Sequence, residues 1–285
     1  MTLLTTQNTG LVIDSTVDPW AHFQGRDGIV TVPLKVLFGD EAYDDGTELS
    51  VDAFYARLLS STVIPTTSQP SPDRFQAAYT EMCERYEHVY SIHISNQLSG
   101  TVRVARDVAV AFPRVAVIDS LTVSGGCGML VERVHAKLQE GLSSDDLQAY
   151  FEHFWRRNRF IIQTPSLEYL RRGGRIRWSQ QIVGGMLGIR PLVHIEDALI
   201  EAYGKPRGER RAFEMIGEYF RANVGPKEHP YVGVIHGNWP GALPVLRQTV
   251  LSLRPDAEII MEGSIGCVVG AHIGPQASAI MFVPE

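Results

Sequence analysis

The chain has 285 residues, 44% of them apolar and 20% charged, which is the balance of a soluble globular protein large enough to bury its own core. A net charge of −6 speaks against nucleic acid as a general partner. Three cysteines (Cys83, Cys127, Cys267), far apart and without Cys-x-x-Cys spacing, argue against a disulfide framework or a zinc site and for a reducing compartment.

In chain order, residues 1–10 carry no basic region followed by an apolar run, so no secretory signal is expected. Leu11-Val12-Ile13 is a short apolar run ending in Asp14-Ser15-Thr16, and Val115 to Ile118 ends in Asp119-Ser120. Strands that run into small polar turns suit a parallel sheet whose loops collect at one edge. Ile29 to Phe38 and Val89 to Ile94 are further strand candidates. Ser71-Pro72 opens a predicted helix with Phe75, Met82 and Tyr86 at helical spacing, and Ser143 caps another with the stripe Leu147, Tyr150, Phe151 and Phe154. This alternation predicts an α/β fold. Neither Val108–Val117 nor Cys267–Pro284 reads as a membrane span, because Pro113 and Arg114 interrupt the first and His272, Gly274 and Pro275 the second. A cytoplasmic protein is the expectation.

The texture changes near Arg156–Phe160. Strand-like runs follow at 160–164, 191–195, 231–236, 258–262 and 279–283, with a helix over 210–222 carrying Phe213, Ile216 and Phe220. The expected organisation is an N-terminal α/β domain (1–158) with a parallel sheet and a C-terminal α/β domain (159–285) with a mixed or antiparallel sheet. A cleft between two such domains is a common ligand location. Residues 156–211 hold 12 Lys or Arg against 5 Asp or Glu, a balance of +7 against −13 elsewhere. That stretch reads either as a solvated face or as a docking surface for an acidic partner.

Hydroxyl residues mark two turns. Ser99-Gly100-Thr101 follows a strand candidate and precedes a predicted helix from Val102 to Val110, and Thr67-Ser68 precedes the helix opened by Ser71-Pro72. Such positions serve either as ordinary caps or as places to hold an anion. Gly125-Gly126-Cys127-Gly128 and Gly184-Gly185 allow close backbone approach, for helix packing or for lining a narrow tunnel, with Met129, Met186 and Phe160 as wall candidates. No Gly-x-Ser-x-Gly elbow, Walker A string, His-Glu-x-x-His or Gly-x-Gly-x-x-Gly after the first strand is present. A hydrolase or phosphoryl-transfer enzyme built from Asp14, Ser99 and His272 stays open as the alternative.

Four stretches carry a resemblance. They are Val12-Ile13-Asp14-Ser15-Thr16 with Val32-Pro33-Leu34 and Tyr43-Asp44-Asp45-Gly46; Pro65 to Ser71; Ile94-Ser95-Asn96-Gln97-Leu98-Ser99-Gly100-Thr101; and Leu170 to Ile176 with Gly188-Ile189-Arg190-Pro191 and His272-Ile273-Gly274-Pro275. In order and spacing the chain resembles the DegV family. That resemblance implies a two-domain α/β protein with one long-chain fatty acid (palmitate, stearate or oleate class) in a buried tunnel between the domains, and no catalysis or cofactor of its own. It implies a carboxylate held by Thr67 and Ser99 with His272 near the head group. Ser68, Ser95, Gly100, Thr101 and Gly274 complete the implied site. Some members present the fatty acid to a separate kinase that makes an acyl phosphate. Arg175 and Arg207, in loops of the basic stretch, are the candidates for facing that partner or its acyl phosphate product. Two departures stand out: Gln276 takes the place of a glycine after His-x-Gly-Pro, and Ser95-Asn96 that of a Ser-Ser pair.

Overall fold

The computed structural model describes residues 3–176 and 188–285. In chain order the first half runs β1 (Thr9–Asp14), α1 (Trp20–Phe23), β2 (Ile29–Val32), β3 (Lys35–Phe38), β4 (Glu41–Asp44), α2 (Val51–Ser60), β5 (Thr66–Ser68), α3 (Pro72–Arg85), β6 (His88–His93), α4 (Thr101–Ala109), β7 (Val115–Asp119), α5 (Gly125–Glu140) and α6 (Ser144–Arg157). The second half runs β8 (Arg159–Gln163), α7 (Glu168–Gly173), β9 (Leu192–Glu196), β10 (Leu199–Gly204), α8 (Glu209–Asn223), β11 (Pro230–Gly237), α9 (Ala242–Leu253), β12 (Glu258–Ser264), α10 (Cys267–Ile273) and β13 (Ala277–Pro284).

Strands β2-β1-β6-β7 form a four-stranded sheet, parallel throughout. The order β10-β9-β8-β13-β11-β12 makes a six-stranded sheet, antiparallel except for the β11–β12 pair. The fold is therefore α/β, with a parallel-sheet N-terminal domain and a mixed-sheet C-terminal domain. The run expected as one strand over 29–38 is two strands in two sheets. Pro33 has no N–H to give a ladder, so the chain breaks there, and β3 joins β4 and β5 in a small antiparallel sheet. Leu34 N, past the break, donates to Ser15 Oγ (3.0 Å).

The mixed sheet sorts its side chains by alternation. Phe160, Ile162, Val193, Ala279 and Met281 face a core shared with Leu11, Ile13, Ile92 and α5 of the N-terminal domain. Ile161, Leu192, Ile280 and Phe282 face α8 and α9 through Phe213, Ile216, Phe220 and Leu246. Every residue of β13 is buried, as a central strand covered on both faces must be. The glycines at the start of α5 serve packing. A Cβ would come within 1.9 Å of Met281 Cε at Gly125, 2.2 Å of Thr122 Oγ1 at Gly126 and 2.1 Å of the Asp18 carbonyl oxygen at Gly128. Gly184, Gly185 and Met186 lie outside the described residues.

Candidate functional site

A cavity of about 450 Å³ opens where the C-terminal ends of the parallel strands meet the inner face of the mixed sheet. Ile94, Leu98 and Val123 come from the loops after β6 and β7. Phe160 and Ile162 of β8, Val193 and Ile195 of β9 and Ile200 of β10 form the facing wall. Helix α10 adds Val268, Val269, His272 and Ile273, which the helical repeat places on one face. His194 is also on the wall, but it lies opposite Ile161 in the β8–β9 register, and its ring packs on Tyr203 and Tyr219 of the outer layer. Its side chain therefore turns away from the cavity.

One end is polar. Thr67, Ser68, Gln69, Ser99, Gly100, Arg175 and His272 gather there, with no Asp or Glu among the described lining residues. Thr67 is a strand residue, opposite Val36 in the β3–β5 pair, and does not sit on the turn before α3. Its Oγ1 lies 2.8 Å from His272 Nε2. Burial, and next the Arg175 charge, push the His272 pKa down to about 4, so the ring is neutral at pH 7. Its Nδ1 has no hydrogen-bond partner among the described residues. Gly173, at the end of α7, lies so close that a Cβ would stand 2.2 Å from that nitrogen. Ser99 Oγ is 2.8 Å from Thr101 Oγ1 and accepts from Thr101 N at 3.3 Å, at the entrance to α4.

Of the other singled-out residues, Arg175 reaches the cavity and the rest stand off its wall. Ser95 is fully buried, and its Oγ donates to the Ala198 carbonyl (3.1 Å) at the tip of the β9–β10 hairpin. Thr101 is buried behind Ser99. Gly274 ends α10 at φ +79°, where a Cβ would strike the Tyr169 ring at 2.4 Å. Arg175 lines the cavity, its Nε donating to the Leu98 carbonyl at 3.3 Å. Arg207 does not line it and lies beside Ile189 in an isolated bridge. Much of the basic stretch is an ion-paired surface: Arg171 and Arg172 hold Glu168, Arg190 holds Glu209, and Arg211 holds Glu218. Sequence reasoning missed Gln69 and the whole β10 contribution. Gln69 lay inside a quoted motif, but nothing local marked its direction.

Ser99, His272 and Asp14 share no hydrogen bond. Asp14 Oδ2 lies 3.1 Å from His93 Nδ1 and accepts from Ile94 N at 3.0 Å. His93 Nε2 in turn meets Ser91 Oγ at 2.6 Å. This Ser-His-Asp chain is fully buried, and none of its members lines the cavity. Among the described residues no helix is long and apolar enough to cross a membrane, and no cluster of three or more His, Cys, Asp or Glu is placed to hold a metal ion.

The family model for uncharacterised proteins of the DegV family matches residues 8–285. A DegV domain-containing protein of Deinococcus radiodurans is 33% identical over 278 residues, covering 96% of this chain and 98% of its own. A solved structure of a DegV family protein from Thermus thermophilus, described by its fatty acid binding, superposes with a TM-score of 0.91 at 34% identity over 98% of this chain and all of that one. The crystal structure of DegV from Bacillus subtilis, described as a fatty acid binding protein, gives 0.86 at 26% identity over 98% and 100%. The chain belongs to the DegV family.

Proposed function

We propose that this protein binds one long-chain fatty acid in the cavity between residues 1–158 and 159–285, with the carboxylate held by Thr67 and Ser99, and performs no catalysis itself. The observation that carries the reading is the cavity's polarity: an apolar wall with a hydroxyl-rich end that bears no carboxylate among the described lining residues. A carboxylate moved into such a place must be hydrogen-bonded or take up a proton. A neutral His272 protonated on Nε2 donates to Thr67 Oγ1 and leaves the threonine proton for the ligand. Ser99 serves as the second donor, and Ser68 and the Gly100 backbone flank it. Ser95, Thr101 and Gly274 support these groups from behind. A tail of roughly fifteen methylenes at about 0.8 kcal/mol each contributes on the order of 12 kcal/mol as an upper figure, from which association and ordering subtract several. The tail sets the affinity and the head sets the direction.

The head end includes the exposed Ser68 and Gln69, so the carboxyl group faces outward. That orientation fits presentation to a separate kinase for acyl-phosphate formation, with Arg175 and Arg207 facing the partner. Native mass spectrometry with solvent extraction tests the reading. A bound C16 or C18 fatty acid is expected, with affinity at least tenfold weaker in Thr67→Ala and Ser99→Ala at an unchanged urea midpoint. A protein that comes empty and takes up neither palmitate nor oleate would falsify it.

A further inference from the structure

Two aspartates outside the cavity are buried where two of its walls begin. Asp18 and Asp45 are 0% and 2% exposed. Asp18 Oδ2 lies 2.6 Å from Ser124 Oγ, at the entrance to α5, and its Oδ1 accepts from Gly266 N (2.8 Å), at the entrance to α10. Asp45, just past β4, takes the next amide, Cys267 N, at 3.2 Å. Its Oδ2 has no hydrogen-bond partner among the described residues. Ser124 stands at φ +55°, ψ −131°, outside the left-handed helical well. A non-glycine residue keeps such a conformation only where its surroundings fix it. Both anchored points adjoin the cavity: Val123 precedes Ser124, and α10 carries Val268, Val269, His272 and Ile273.

The titratable groups that face the pair are Asp14 of β1, itself bonded to His93, Tyr55 of α2, Cys127 of α5 and Cys267 of α10, with Glu48 in the turn after β4. The cations Lys35 and Arg74 are held by the neighbouring Asp44. Burial keeps Asp18 well above the usual carboxylate range and pushes Asp45 up to about 6. At pH 7 the pair is therefore one acid and one carboxylate. The carboxylate places a favourable charge at the start of α10, and a charge-assisted bond is roughly twice as strong as a neutral one. Building on the fatty-acid reading above, we propose that Asp18 and Asp45 are positioning residues, a clamp on the starts of α5 and α10 that couples ligand affinity to the charge of Asp45. With Asp45 ionised, α10 is held and His272 stays against Thr67. Once Asp45 takes up a proton, the hold on Cys267 N weakens and that wall loosens. Affinity then falls as pH drops through about 6.

The test measures the palmitate affinity of the delipidated, full-length chain by calorimetry at pH 7.5 and pH 5.5. Asp45→Asn, the uncharged isostere, is expected to bind about fivefold more weakly than wild type at pH 7.5, a gap that closes at pH 5.5. Ionisation of palmitate and of His272 acts on both proteins alike, so the ratio between them reports Asp45. Asp18→Ala is expected to lose about tenfold at both pH values. Asp18→Asn keeps a neutral group that bonds to both Ser124 and Gly266, and is expected to recover most of that loss. A ratio of wild type to Asp45→Asn that is the same at both pH values, or an Asp18→Asn protein as weak as Asp18→Ala, would overturn the clamp. Wild-type protein that takes up no palmitate would remove the fatty-acid reading itself, and this role with it.

Discussion

Two histidines in this molecule stand within hydrogen-bond reach of hydroxyls, and they do opposite work. His93 lies in the parallel sheet with both ring nitrogens engaged, one by Ser91 and one by Asp14, and no part of it meets solvent. His272 has one engaged nitrogen, one without a partner among the described residues, and a cavity alongside. The first has the order of a catalytic triad without any access. The second lacks the acid but has the access. Residue identities alone do not separate these cases; satisfaction and exposure do.

The largest effect expected from this contrast is on folding. Burial alone would raise the Asp14 pKa, but bonds from His93, Thr16 and the Ile94 amide outweigh it and hold the carboxyl below its usual range. Asp14→Ala strands the His93 ring in the core, and a loss of about 3–5 kcal/mol is expected in urea denaturation. A loss under 1 kcal/mol would show that the network is not the anchor described here.

A smaller effect separates the two sites by pH. The folded-state pKa of His272, about 4, lies below the ordinary histidine value of 6.5, so the unfolded chain binds the extra proton first. Stability from this group is present above about pH 6.5 and drains away as pH falls toward 4, by about 3 kcal/mol or less. Thermal denaturation of His272→Gln across that window is expected to be flatter than wild type by this amount. Parallel curves would mean that the ring is already charged in the fold.

The smallest effect concerns the loop that follows His272. Gln276 adopts φ +59°, a region that costs a side chain and costs glycine little, while its N–H is fixed by the Gly237 carbonyl at 2.6 Å. Gln276→Gly is expected to change stability by no more than about +1 kcal/mol, and calorimetry that shows a clear loss would place a contact on the glutamine side chain.

Strands whose apolar runs are long and bounded by turns were legible in the sequence: β1, β6, β7, β8, β11 and β13 lie within one to two residues of their expected ends. The capped helix α6 was equally legible, since Ser143 accepts from Asp146 N as its sequence suggests. Three-residue β5 was not, because Thr66-Thr67-Ser68 has no apolar alternation and pairs only through a partner thirty residues away. Helix α10 was hidden as well, because seven residues that include Gly270 and His272 are too few to show a helical period. For Ser95 the sequence is silent in a different way. Its partner is a carbonyl 103 positions along the chain, and no local pattern encodes a contact of that range. The glycines of α5 left packing and tunnel lining equally open until Met281, Thr122 and the Asp18 carbonyl were seen pressing on them.

The alternation of the mixed sheet has a consequence for laboratory redesign. Phe160, Ile162, Val193 and Ile195 look into the cavity, whereas Ile161, Leu192 and Ile280 hold the outer helices. Swapping Phe160 or Val193 for smaller or larger apolar residues changes the size of the chamber without touching the helical layer behind it. A library confined to every second position of β8 and β9 would thus vary the shape of the guest and leave the scaffold that carries it in place.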